Sequence, residues 1–181
     1  MLDMPKFIRA VPVVILAGCV STAPRAPIPI TYYFDCDVPP GKFSEWTRTV
    51  DGSQVRATGT LQLIEPRHDP AWGPVASVFI TGNDDSLSVG LRAMIDWHFP
   101  EVIHLLPIGP DGLVMGKSLI SMPWRGELIP FAISFNNSGE LKVSAAGQSR
   151  ELKLHSFNIH KVELICSTSQ FKFTNVIVED K

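Results

Sequence analysis

The 181-residue sequence has no excess of charge: 16 Lys and Arg stand against 18 Asp and Glu, a formal net charge of −2. Nowhere do Lys and Arg cluster, so the electrostatic footprint of nucleic-acid binding is missing. A membrane surface cannot hold such a chain through a basic patch either. Cysteine is scarce, with three in all, and none sits in a Cys-x-x-Cys spacing. His155 and His160 are five residues apart, hence on opposite faces of a strand, and no metal site is expected. No apolar run approaches the roughly 20 residues of a membrane-spanning helix. A Gly-x-Ser-x-Gly elbow is absent, which excludes α/β-hydrolase chemistry by motif. The stretch Gly112-Leu-Val-Met-Gly116-Lys117-Ser118 places three residues between its glycines where a phosphate loop needs four. Helical periodicity is also lacking. Residues 91–97 come nearest to an apolar stripe, and the following Phe99-Pro100 would stop a helix there.

At the N-terminus, Lys6 and Arg9 form a short positive head, and an apolar run follows over 10–17, interrupted by Pro12. That run has the length of a secretory signal core. It ends in Leu16-Ala17-Gly18-Cys19, which resembles the lipobox of bacterial lipoproteins. The small residues Ala17 and Gly18 suit a peptidase cleft that rejects bulk, and Cys19 supplies the thiol that is acylated. The resemblance implies a signal peptide over 1–18, cleavage before Cys19, and an exported protein anchored in the cell envelope by its acyl chains. Two or three such chains, at about 0.8 kcal/mol per buried methylene, anchor effectively permanently. Val20 in place of Asp after the cysteine implies the outer membrane. Pro24, Pro27 and Pro29 then break both helix and paired strand, so 19–30 is expected to be an extended tether.

From residue 31 onward the pattern is that of a single all-β domain. Strand-like runs cover 30–37, 55–65, 75–81, 86–94, 102–107, 113–121, 129–136, 140–145, 151–155, 159–166 and 171–178, with Gly, Asn, Asp and Pro between them. In 55–65, Val55, Ala57, Gly59, Leu61 and Leu63 share one parity, while Arg56, Thr58, Thr60 and Gln62 share the other, giving one buried and one wet face. Many short strands without helices predict an antiparallel two-sheet β-sandwich of jelly-roll form. Pro130-Phe-Ala-Ile-Ser-Phe135, a turn, and Gly139-Glu-Leu-Lys-Val143 resemble adjacent strands of concanavalin-A-like and laminin-G-type sandwiches. Phe171-Lys-Phe-Thr-Asn-Val-Ile-Val178 is similar to their closing strand.

With Cys19 committed to lipid, Cys36 and Cys166 remain. An exported compartment allows a disulfide between them. In sandwiches of this type the chain ends pair in one sheet, which would bring the two together; two separate buried thiols are the alternative.

Candidate chemistry is sparse. The Glu-x-Asp-x-x-Glu strand of laminarinase-type sandwiches is absent, and Asp35 and Asp37, though of one parity, read as wet-face residues. His68-Asp69 and Asp96-Trp97-His98 hold acid/base residue types, but neighbours in extended chain point apart. Asn83, Asp84 and Asp85 read as a turn rather than a calcium loop. Trp72, Trp97 and Trp124, with His98, are the candidate ligand contacts, since an indole with polar neighbours can stack on the apolar face of a sugar. The same tryptophans could instead cap the ends of the sandwich. The sequence thus predicts no catalytic residues and no cofactor. It points to an envelope binding or structural module for carbohydrate, peptidoglycan or a partner protein, with a carbohydrate-active enzyme on a concanavalin-like scaffold as the alternative.

Overall fold

The computed structural model describes residues 29–96 and 98–181. The signal peptide, Cys19, most of the tether and Trp97 lie outside the described residues. Within them the chain forms β1 (Thr31–Asp37), β2 (Phe43–Thr49), β3 (Gln54–Pro66), β4 (Val75–Gly82), β5 (Ser88–Asp96), β6 (Phe99–Ile108), β7 (Ile120–Pro123), β8 (Ile129–Asn136), β9 (Glu140–Ala145), β10 (Gln148–Lys153), β11 (Ile159–Ser167) and β12 (Ser169–Asp180). One 3-10 turn, Pro110–Gly112, interrupts the β6–β7 connection. The first sheet has the order β1-β12-β3-β8-β9-β10 and the second β2-β11-β4-β5-β6-β7. All named pairings are antiparallel, so the architecture is the two-sheet sandwich that the sequence predicts.

Period-2 patterning produces the core. Val55, Ala57, Leu61 and Leu63 of β3 face Val78, Ile80, Leu91, Ala93 and Leu164 of the second sheet across a dry interior that also holds Phe135, Phe171 and Phe173. Burying such side chains contributes about 1.5–3 kcal/mol apiece.

Three segments depart from expectation. β2 is new. Its inward parity carries Ser44, Trp46 and Arg48, and the polar members hid the alternation. Arg48 is accommodated there because its guanidinium donates to the Val178 carbonyl at 2.8 Å and lies 5.5 Å from the centre of the Tyr32 ring. The run over 113–121 is paired as a strand only from Ile120. Arg150 Nη1 reaches over from β10 and donates to the carbonyls of Met115 and Lys117 at 3.1 and 2.7 Å, occupying acceptors that a ladder would use. β10 begins at Gln148 rather than 151, because Ala146 and Gly147 both adopt positive φ (49° and 79°) and close a two-residue hairpin.

Cys36 and Cys166 are joined in a disulfide with Cα atoms 6.4 Å apart, and both are buried. The expected route was wrong in one respect. β1 and β12 do pair, but Cys166 lies on β11 in the opposite sheet, so the bridge ties the two layers together.

Candidate functional site

The two outer faces of the sandwich differ in how they treat charge. On the second sheet, strand registry lines up outward-facing residues in rows. One row runs Glu45, Ile165, Ser77, Arg92 and Leu106 across β2, β11, β4, β5 and β6. The next runs Thr47, Glu163, Phe79 and Gly90, and beyond it lie Thr49, Lys161, Thr81 and Ser88. These positions alternate with core residues, yet Ser77, Phe79 and Thr81 are almost fully buried. Their neighbours cover them.

Arg92 is the centre of that cover. It is half-buried; its Nε donates to Ser77 Oγ at 3.3 Å, and its guanidinium carbon lies 5.7 Å from the Phe79 ring centre. Desolvation by burial lowers its pKa from the usual arginine value. No carboxylate of the described residues lies within 4 Å of it. Gly90, in the next row, lets β5 approach β4 closely: a Cβ there would come within 2.0 Å of the Val78 carbonyl oxygen. Toward the β2 side, by contrast, charge is internally matched. Glu163 is buried, accepts from Thr81 Oγ1 at 2.5 Å, and sits 3.0 Å from Lys161 Nζ. Lys161 also meets Asp85 at 3.0 Å, and bonding to Glu163 first and Asp85 second raises its pKa.

At the opposite edge a polar cluster spans β5, β6 and β7. Asp96 accepts from the backbone N–H of His98 at 2.8 Å and lies 3.2 Å from His98 Nδ1. His104 approaches the same carboxylate at 3.8 Å through Nε2, while its Nδ1 is 2.7 Å from Ser121 Oγ. The His98 amide, foremost, holds the Asp96 carboxyl below its ordinary pKa. The expectation that Asp96 and His98 point apart fails here because the chain turns between β5 and β6 instead of continuing extended.

Of the sequence candidates, Trp72 is 45% exposed and stacks on Phe43, itself 59% exposed, with ring centres 6.5 Å apart and planes within 7°. Trp124 is half-buried; its Nε1 donates to the Leu63 carbonyl at 3.2 Å and its ring packs on the core. His98 is 88% exposed at the rim. Asp35 and Asp37 face Lys172 and Arg67, at 3.5 and 2.6 Å. Asp84 accepts from the Ser86 amide within its own turn. Among the described residues no group of three His, Cys, Asp or Glu side chains could hold a metal ion.

A separate cavity of about 770 Å³ opens at one end of the sandwich, lined by Asp51, Ser53, Asn83, Asn137, Asn158 and, on β11, His160. Its charged lining groups, Asp51 and Lys181, are exposed, unlike the half-buried Arg92.

Sequence reasoning missed Arg92, Phe79, His104 and Ser121. The signal was present for two of them: Arg92 and His104 are lone basic residues within largely apolar stretches, 88–96 and 102–108.

No family model matches this sequence, and no curated protein matches it. Similar solved structures exist at low identity. An alginate lyase from Alteromonas sp. 272 aligns with 81% of this chain and 86% of its own, at 11% identity and a TM-score of 0.56. A polysaccharide lyase of family 18 aligns with 81% and 87%, at 12% identity and a TM-score of 0.56. An alginate lyase from Pseudomonas aeruginosa aligns with 71% of this chain, which spans 65% of that protein, at 15% identity and a TM-score of 0.51. What these structures share with this chain is the jelly-roll sandwich fold.

Proposed function

We propose that this protein is an envelope lipoprotein, anchored through Cys19, whose sandwich binds an acidic polysaccharide on the outer face of the second sheet. One observation carries the reading: Arg92 is half-buried on a paired sheet without a carboxylate partner among the described residues. Holding a guanidinium out of water costs free energy that an intramolecular carboxylate would normally offset. The cost is tolerated where a ligand supplies the anion, and a planar guanidinium matches a carboxylate with two parallel hydrogen bonds. Ile165 and Leu106, half-buried in the same row as Arg92, offer an apolar surface beside the guanidinium for one face of a sugar ring. The similar structures named as alginate and polysaccharide lyases make a polysaccharide the ligand class to test first.

Calorimetric titration of the full chain in detergent with alginate oligosaccharides and with neutral glucan oligosaccharides tests this. Binding is expected for the acidic series alone, weakened by added salt and lost in Arg92→Gln. Equal binding of the neutral series, or unchanged binding by Arg92→Gln, would overturn it. The anchor is tested separately: Cys19→Ser should abolish acylation and release the product from the membrane fraction, and continued membrane association would contradict it.

A second reading, a lyase on the same face, is favoured by the His104 imidazole, which bonds Ser121 and lies diagonally beside Arg92 on the adjacent strand, about 7–8 Å away by strand geometry. In such a reaction a base removes the proton next to the uronate carboxylate, the glycosidic C–O bond breaks, and the proton returns to the leaving oxygen. An unsaturated product detected by ultraviolet absorbance, and absent with His104→Ala, would establish it.

A further inference from the structure

Phe43 and Trp72 lie on the same outer face as Arg92. Phe43 has outward parity on β2, and registry continues its row through Ser167, Val75, Met94, His104 and Ser121 on β11, β4, β5, β6 and β7. Five inter-strand steps make that row about 24 Å long. Phe43 is three strands from Arg92, about 14 Å across the sheet, and two residues offset along it. Between them lie Ser167, Val75, Ile165 and Ser77, none of them charged.

The aromatic pair is fixed in place rather than loosely exposed. Asp69 Oδ1 accepts from the backbone N–H groups of Ala71 and Trp72 at 2.8 and 3.0 Å. Ser167 Oγ donates to the Gly73 carbonyl at 3.1 Å, fastening the Trp72 loop to β11. The result is two exposed rings in nearly parallel planes, pre-set at the entry to the row.

We propose that Phe43 and Trp72 form a distal sugar-stacking subsite, so that a glycan chain crosses the strands and is recognised by length as well as by charge. The proposal rests on the acidic-polysaccharide reading above. Pyranose rings present an apolar C–H face that packs on indole and phenyl rings. The platform takes the C–H face of one ring, whose carboxylate turns to solvent, while Arg92 takes the carboxylate of another. A disaccharide cannot span both elements, whereas a longer oligomer can.

The test is titration of the full chain in detergent with alginate di-, tetra- and hexasaccharides. Wild-type affinity should rise with length. Trp72→Ala and Phe43→Ala should each weaken hexasaccharide binding roughly three- to tenfold and leave disaccharide binding unchanged, while Arg92→Gln weakens both. Trp72→Phe should restore most of the loss. Unchanged far-ultraviolet circular dichroism would show that the variants are folded. If oligosaccharides bind but affinity is independent of length, or Trp72→Ala affects all lengths equally, the subsite is overturned and the Arg92 reading stands. If wild type binds no acidic oligosaccharide, both fall together.

Discussion

The outer faces of the two sheets solve the same problem in opposite ways. On the first sheet, cations and carboxylates sit directly opposite one another on adjacent strands: Lys142 with Glu151, Lys153 with Glu140, Arg56 with Glu179, and Lys172 with Asp35, at 2.8 to 3.8 Å. The Lys142, Lys153 and Arg56 pairs are well exposed to water, and Lys172 is half-buried. Such a face is electrically complete, and each pair adds at most about 1 kcal/mol. On the second sheet, the outward residues of β4 are buried beneath their neighbours, and Arg92 has no partner carboxylate among the described residues. The contrast marks the second face, around Arg92, as the one on which the binding proposal rests.

The bridge between the layers should show the largest effect. Replacing both Cys36 and Cys166 by alanine opens a link of 130 residues and should lower stability by up to about 4–5 kcal/mol on the chain-entropy model. Urea denaturation with and without reductant checks this, and identical midpoints would contradict it. Next is Glu163→Ala, which takes the carboxylate from Thr81 Oγ1, leaving it only Ser88 Oγ, and one of two carboxylates from Lys161; a loss of about 1–3 kcal/mol is expected. Glu163→Gln, which keeps an acceptor for Thr81, should lose less.

The comparison itself is sharpened by a matched pair. Arg92→Leu should leave the free protein about as stable or up to about 1 kcal/mol more stable, because an uncompensated charge is removed from a half-buried site, and should abolish ligand binding. Lys142→Ala should change stability by less than about 0.5 kcal/mol and binding not at all. Thermal denaturation with and without oligosaccharide distinguishes them; similar behaviour of the two variants would erase the distinction between the faces.

The smallest expected effect concerns pH. The Asp96 carboxyl is held below its ordinary pKa chiefly by the His98 amide. Its contribution is therefore fully present above the ordinary aspartate value and is lost as pH falls through the lower folded value. The His98 amide resonance should titrate with a midpoint below the ordinary aspartate pKa, and a midpoint at or above it would contradict the contact.

Much of the fold was legible in the sequence because period-2 alternation is strong wherever one face is dry. The β3 parity, the hairpin from 129–136 to 140–145, and the Cys36–Cys166 bond all follow from it or from cysteine scarcity. Alternation failed where polar side chains face inward, as at Ser44 and Arg48, and where a remote guanidinium captures backbone carbonyls, as Arg150 does. The site was harder still. Arg92, Phe79 and His104 come from three strands, and only registry places them on one face. Trp72 stood out because proline, glycine and aspartate surround it, yet its partner Phe43 lies in the strand the pattern concealed.

The most direct measurement maps ligand contact across both faces by the amide resonances of the isotopically labelled protein during titration with an alginate hexasaccharide. Perturbations concentrated at Ser77, Phe79, Arg92 and the Phe43–Trp72 end of the second sheet are expected, with Lys142, Glu151 and their strand neighbours silent. Perturbations centred on β9 and β10, or on the end cavity around Asn83 and Asn158, would contradict the assignment of the second sheet as the binding face.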